Sequence, residues 1–478
     1  MGQDTAVGLH PALSGGVRAH AGKALVPALV GRGPRQRPQG HRVDHDVLAV
    51  GAQAAQTRLL HDPGQVALAL EGHREAGELA GLAERDGRFG QVDHYEHGVR
   101  RYPPASALHR RAESSVECRS VPDISQRDPE QVAATLSRWL ATKSADGRGP
   151  EVFDVKAPGS NGFSNETILC RTRTVDGAEK RLVVRVAPTK HLLFLDAEFS
   201  TQYRAMRALA DGGSAVPLPR LGWYEEDLQY FGVPFFSMDH VEGLVPSDNI
   251  PYTMEGWVME ASPEQQERMW WSGIDALAAV HRTDWRATRL EWLSTPARGK
   301  PGLEQQLSYY RDFLDWATKG EKVPVIESTW QWLVEHKPAE DGDVVISWGD
   351  SRIGNIIWDD FQAAAVVDWE MASLAQPELD LGWWLYFDRQ FSEGLGVPRP
   401  AGFGSHEETI ERYSEMMGRP MRDIFYYEIF SGFRFAVVMY RLSDLVFDRE
   451  DMEGDADMAT DNIATQLLAK MLDLEPPT

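Results

Sequence analysis

The chain has 478 residues, is 42% hydrophobic with fifteen tryptophans, and carries a formal net charge of −23. That length leaves room for roughly two to four ordinary domains, or for one larger enzyme behind a long lead-in. The acidity argues against nucleic acid and anionic membranes as partners, and it suits a solvated surface better than a cationic substrate. Two cysteines, Cys118 and Cys170, exclude a disulfide framework and a cysteine-rich metal site, and they fit a reducing, cytoplasmic setting. No apolar run approaches the roughly 20 residues of a membrane span. No basic segment leading into an apolar core opens the chain, so neither an anchor nor a secretory signal is expected.

Residues 1–118 differ from the rest. They contain no Ile, Trp or Asn and a single Lys, yet hold nine of the fourteen histidines. With few aromatics and many glycines, such a segment buries too little apolar surface to offset its ordering entropy. His10, His20, His41 and His45 fit no metal-ligand spacing. Residues 1–120 are therefore expected to be a disordered extension; translation from a misplaced start codon would give the same composition.

Folded sequence is expected from near Val121. In "RDPEQVAATLSRWLATK", Asp128 reads as a cap, Pro129 as a first-turn residue and Gln131 as the completion of a capping box. Val132, Leu136, Trp139 and Leu140 then mark one apolar helical face. The next stretch, "FDVKAPGSNGFSNETILCRTRTV", reads as a strand, a turn at Gly159 and Gly162, and a second strand. Such a turn exposes N–H groups able to cover phosphates, and it is also what an ordinary hairpin looks like. Ser164 and Asn165 add a hydroxyl and an amide at the turn exit.

A third strand, "KRLVVRVAP", carries Arg185 within an apolar run, and "DAEFSTQYRAMRALAD" follows as a helix from which Glu198 or Gln202 could orient that arginine. A strand pair then ends in "FFSMDHVEG", a connector where a purine could pair with the backbone at Asp239 and Val241. From about residue 262 the pattern is helical, opened by Ser262, Pro263 and Gln265 as capping signals. His281 closes one apolar helix face, where a structural role is expected.

Short apolar strands return in "DVVISWGDSRIGNIIWDDFQAAAVVDWEMA", and they present Asp350, Arg352, Asn355 and Asp368 from a loop and a strand end. Buried and unpaired, such groups would each cost several kcal/mol. A divalent metal with a polyphosphate would satisfy them together, because Mg²⁺ takes a few carboxylate or amide oxygens plus phosphate oxygens.

"GDSRIGN" followed by "VVDWE" resembles the catalytic core of the aminoglycoside phosphotransferase and choline kinase superfamily, which is protein-kinase-like and has the pattern H-G-D-x-x-x-x-N, then D-x-E or D-W-E. The spacings from Asp350 to Asn355 and from Asn355 to Asp368 match, and "VVRVAP", "VPFFSMDHVEG" and "PELDLGWW" fall in the family's order. The resemblance spans about residues 125–470. "IPYTMEGW" and "GDSRIGN" look nearest to actinobacterial phosphotransferases related to the kinase part of acyl-CoA dehydrogenase fusion proteins.

The resemblance implies an α+β, bilobal protein-kinase-like fold, with a small β-rich lobe over residues 121–240 and a larger, mostly helical catalytic and substrate lobe over 241–478. It implies transfer of the γ-phosphoryl of ATP, with Mg²⁺, to a hydroxyl of a small molecule; the alternative is a catalytically degenerate nucleotide binder. Asp350 would be the catalytic base and Arg352 the cation on the γ-phosphate. Asn355 and Asp368 would hold Mg²⁺, with help from Glu370. Gly159, Gly162, Ser164 and Asn165 would cover the triphosphate, Arg185 would take the place of the strand lysine, and Met238, Asp239 and Val241 would form the hinge to adenine. Asp380 would brace the catalytic loop.

Two departures stand out. Trp348 replaces the family histidine, so an imidazole hydrogen bond behind the metal aspartate is expected to be lost, and Arg185 replaces lysine. The absence of a long segment after Asp368 argues against a protein kinase. The aromatic stripe of "DIFYYEIFSGFRFAVVMYRLSDLVF" reads mostly as core, with part available to an apolar acceptor pocket.

Overall fold

The first described element is helix α1 (Pro129–Thr142), whose buried face is Val132, Leu136, Trp139 and Leu140, as its spacing predicts. Asp128 caps it by accepting from the Glu130 N–H at 2.9 Å. That contact lies one residue earlier than expected, and Gln131 does not complete a capping box. The computed structural model describes residues 127–477 except 157–164, 189–191, 249, 340–341 and 448–455. The expected N-terminal extension and the turn residues Gly159, Gly162 and Ser164 lie outside the described residues.

Strands β1 (Glu151–Lys156), β2 (Glu166–Arg173), β3 (Glu179–Val186), β4 (Leu221–Glu225) and β5 (Phe235–Asp239) form an antiparallel sheet in the order β1-β2-β3-β5-β4. Successive side chains on a strand point to opposite faces. Val184 and Val186 therefore pack with Ile168, Phe235 and the apolar face of α1. Arg185 between them faces the other way, level with Thr167 on β2 and Phe236 on β5. On that second face lies α2 (Ser200–Asp211), whose Met206 and Leu209 are buried with Phe236.

The chain leaves β5 through Met238–Val241 and reaches the larger lobe at Leu244, which exchanges two backbone hydrogen bonds of 2.8 Å with Trp358. There α3 (Trp257–Glu260) is followed by α4 (Pro263–His281), opened by the expected capping box between Ser262 and Gln265. Helices α5 (Leu303–Ala317) and α6 (Pro324–Glu335) come next. Two small antiparallel pairs carry the polar loop: β6 (Val345–Ser347) with β9 (Ser373–Ala375), and β7 (Ile356–Asp359) with β8 (Gln362–Val366). Helices α7 (Pro377–Gln390), α8 (His406–Met417), α9 (Ile424–Phe447) and α10 (Ile463–Leu472) complete the lobe.

Helix α9 settles the role of the aromatic stripe. Ile429, Phe430, Phe433, Ala436, Val437 and Met439 are fully buried in the main core, so the stripe supports the lobe from within. Among the described residues no helix is long and apolar enough to cross a membrane.

Candidate active site

The loop between β6 and β7 is held from beneath by one carboxylate. Asp380, fully buried near the start of α7, accepts hydrogen bonds from the Trp348 N–H (2.7 Å), the Gly349 N–H (3.1 Å) and the Ser347 hydroxyl (2.8 Å). Its other neighbour is His281 Nε2 at 2.9 Å. A carboxylate only accepts, so Nε2 carries the proton there, and Nδ1 faces the hydroxyl of Tyr413. Burial presses the Asp380 carboxyl toward its neutral form. The His281 contact, the Ser347 hydroxyl and the nearby charge of Arg434 outweigh that and leave the group below its ordinary value. Asp380 thus bonds beneath the loop, where the resemblance implied a bracing acid.

Gly349 is dictated by space as well as by conformation. Its φ is +93°, and a Cβ would stand 2.2 Å from the carbonyl oxygen of Met371. That close approach fixes the turn that carries the next residue, Asp350, whose side chain is 16% exposed. Asp350 Oδ1 accepts from Trp383 Nε1 (2.8 Å) and Arg352 Nε (3.0 Å), and Oδ2 accepts from Asn355 Nδ2 (2.6 Å).

Arg352 is almost wholly buried, and each corner of its guanidinium is engaged. Nε reaches Asp350, Nη1 reaches Asp248 Oδ2 (2.7 Å) and Nη2 reaches Asn355 Oδ1 (3.1 Å). The resemblance implied a cation on the γ-phosphate at this position. In the structure the fork organises the loop instead.

Asp368 follows β8 with φ +60°, a left-handed conformation that costs a non-glycine residue about 1 kcal/mol or more. Arg185 Nη2 is 3.8 Å from its Oδ1, and Arg185 Nη1 donates to the Thr167 hydroxyl at 3.0 Å. The helix residues proposed to orient Arg185 do otherwise. Glu198 pairs with Arg204, and Gln202 is buried on the wall of the same cleft. Trp348 keeps a link to this strand: its Nε1 donates to the Val367 carbonyl at 2.9 Å, one residue before Asp368. The bond expected to vanish with the family histidine thus has an indole counterpart, because the fully buried Trp348 ring reaches the same strand end.

One cleft between the lobes collects part of this set, whereas Asp350 and Arg352 are not among its lining residues. Arg185, Met238, Asp239, Val241, Asn355 and Asp368 all line it. Asn165 lies at the sheet end of the site and donates to Glu370 Oε2 at 2.7 Å. Past Asp368, the segment Glu370–Ser373 walls a second cavity of about 1020 Å³, mouth included, whose other walls carry Trp292, Arg298, Gln306, Tyr309 and Tyr310.

The donor set suits a hard divalent cation. Asp368 Oδ1 is buried with no hydrogen-bond partner among the described residues, while burial holds its carboxyl above the ordinary range against the pull of Arg185. Among the described residues no three His, Cys, Asp or Glu side chains gather into a metal cluster. A cation at Asp368 and Asn355 would thus take further oxygens from phosphate or water, which is the habit of Mg²⁺.

Three site residues escaped the sequence reading: Asp248, Trp383 and Arg434. Trp383 stands three residues after Asp380, on the same face of α7, and that spacing could have flagged it. Arg434 is a cation in the apolar middle of α9, fully buried between the rings of Trp383 (4.3 Å) and Tyr310 (5.0 Å), and its Nη2 donates to the Gly349 carbonyl at 2.9 Å.

Residues 155–416 match the phosphotransferase enzyme family. Mouse acyl-CoA dehydrogenase family member 10 is 27% identical over 333 residues, which cover 66% of this chain and 28% of that protein. Human acyl-CoA dehydrogenase family member 11 is 25% identical over 249 residues, covering 49% of this chain and 30% of that protein. The chain therefore spans less than a third of the length of these curated relatives. A solved structure from Ralstonia eutropha JMP134, described as a candidate aminoglycoside phosphotransferase, superposes with a TM-score of 0.52 at 23% identity. The superposition covers 70% of this chain and 98% of that one, and it shows a shared kinase-like, α+β fold.

Proposed function

The chain belongs to the phosphotransferase enzyme family, and on that premise we propose that it transfers the γ-phosphoryl group of ATP to a hydroxyl of a small molecule. What supports this reading is that Arg185, Asn355 and Asp368 line the cleft between the lobes, with Asp350 joined to them through the hydrogen bond from Asn355 Nδ2 to its Oδ2.

Asp350 takes the proton of the acceptor hydroxyl. As that oxygen bonds to the γ-phosphorus, the bond to the β,γ-bridging oxygen breaks and ADP leaves. Trp383, Arg352 and Asn355 fix the carboxylate that receives the proton. Positioning of this kind is most of what phosphoryl transfer asks of a protein.

Arg185 pairs with the α- and β-phosphates, and the planar guanidinium suits two phosphate oxygens at once. Adenine lies at Met238–Val241. Asn355 and Asp368 would hold Mg²⁺, which neutralises charge on the phosphates when bound. Gly159, Gly162, Ser164 and Asn165 would cover the triphosphate.

The acceptor occupies the second cavity. Its wall residue Met371 packs against Gly349, next to Asp350, and its aromatic and amide side chains favour a hydroxylated compound with polar groups. Trp348 supports catalysis over a degenerate binder, because its indole preserves a hydrogen bond behind Asp368.

A screen of ATP consumption over hydroxylated compounds, aminoglycosides and hydroxyacyl thioesters among them, tests the reading. The expected result is ADP formation that requires both Mg²⁺ and an acceptor, with a phosphorylated product. Nucleotide binding without Mg²⁺-dependent turnover on any acceptor would contradict it.

A further inference from the structure

Asp248 stands on the segment that runs from the hinge to α3, and the transfer chemistry above does not use it. Its carboxylate meets Arg352 Nη1 at 2.7 Å, across 104 residues of sequence, and both side chains are only 5% exposed. Two neighbours are shaped around this pair. A Cβ on Gly354 would stand 2.5 Å from Arg352 Nη1 and 3.1 and 3.2 Å from the two Asp248 oxygens, so the glycine of "RIGN" makes room for the ion pair. The ring of Phe387 lies 5.5 Å from the guanidinium carbon.

A guanidinium is planar, and its donors keep a fixed fork geometry. Fixing the Nη1 corner on Asp248 therefore also sets the other two corners, Nε on Asp350 Oδ1 and Nη2 on Asn355 Oδ1. Without Asp248 the arginine would have a single carboxylate partner, Asp350, and could swing onto it.

We propose that Asp248 is a positioning residue for phosphoryl transfer. It clamps the Arg352 fork, which aligns the Asp350 carboxylate and the Asn355 amide oxygen, and so ties the segment leaving the hinge to the catalytic loop. The assignment rests on the phosphotransferase reading above. Asp248 does not line the nucleotide cleft and reaches it only through Asn355, so its effect falls mainly on kcat, with at most a small change in the KM for Mg·ATP.

The test is a double-mutant cycle on the full chain with Asp248→Asn, Arg352→Met and the double variant. The readout is ADP formation from Mg·ATP, with acceptor or with water alone. Asp248→Asn should lower kcat about 10- to 100-fold with KM for Mg·ATP within about threefold, and the double variant should stay within about twofold of Arg352→Met. An unchanged kcat, a raised KM at constant kcat, or the same fractional loss in both backgrounds would overturn the assignment.

The double variant removes both buried charges and should melt no lower than either single variant. If Asp248→Asn alone does not fold, the double variant against Arg352→Met decides: equal turnover supports the clamp and a further loss overturns it. If Arg352→Met is inactive, the kcat and KM of Asp248→Asn decide. Absence of turnover in the parent chain would sink the phosphotransferase reading and the clamp together, whereas turnover with additive losses would sink the clamp alone.

Discussion

Replacing Asp380 with alanine should be among the most damaging single changes in the larger lobe. The carboxylate is fully buried and serves four donors. The Ser347 hydroxyl can rotate toward another acceptor. The backbone N–H groups of Trp348 and Gly349 and the imidazole Nε2–H of His281 cannot. Each buried donor left unsatisfied costs about 1–3 kcal/mol, so three give about 3–9 kcal/mol. Water entering the vacated space recovers part of this, which leaves about 5 kcal/mol, against a typical total stability of about 5–15 kcal/mol. Asp380→Asn keeps one oxygen acceptor and should cost about half as much. Urea unfolding followed by tryptophan fluorescence measures both variants. A loss below about 1 kcal/mol for Asp380→Ala would refute the view that this carboxylate holds the catalytic loop.

Gly349→Ala should cost about 3 kcal/mol or more and abolish turnover, because the methyl meets the backbone oxygen of Met371 in a conformation at φ +93°; the thermal midpoint and ADP formation check it. Trp348→His should lose about 2–4 kcal/mol through the cavity left by a fully buried indole, yet keep turnover within about tenfold of the parent. Unchanged stability or complete inactivity would count against the packing argument. Acid stability supplies a third test. The folded Asp380 carboxyl lies below its ordinary value, so its contribution is present above the unfolded carboxylate range near pH 4 and lost as pH falls below it. Asp248 and Asp368 shift upward under burial and act in the opposite direction, but they do so in both chains and drop out of the comparison. Thermal midpoints measured from about pH 6 to pH 3 should therefore fall less steeply for Asp380→Asn than for the parent.

Local signals carried the larger part of the architecture. Pro129 and Pro263 mark first helical turns, Ser262 and Gln265 form their capping box, and the alternation around Arg185 decides which way that side chain points. The loop "GDSRIGN" and the strand end "VVDWE" could be placed because spacing along one hairpin is a short-range property. Long-range partners were a different matter. Nothing near Arg352 announces that its third partner is Asp248, and nothing near Arg185 announces Thr167 and Asp368 over Glu198 or Gln202. Such pairings arise only when separate elements pack, and side-chain chemistry permits many of them. The capping contact of Asp128 shows the same limit on a small scale: a short carboxylate reaches Glu130 as readily as Gln131, and geometry chooses.

The assignment of Asp350 as the base is open to one decisive comparison, between the parent chain and Asp350→Asn. The amide keeps the shape of the carboxylate and cannot take the hydroxyl proton. Isothermal titration with Mg·ATP should give dissociation constants within about threefold of each other, while ADP formation with an acceptor falls by about 10² or more. Full turnover in Asp350→Asn would contradict the proposed chemistry.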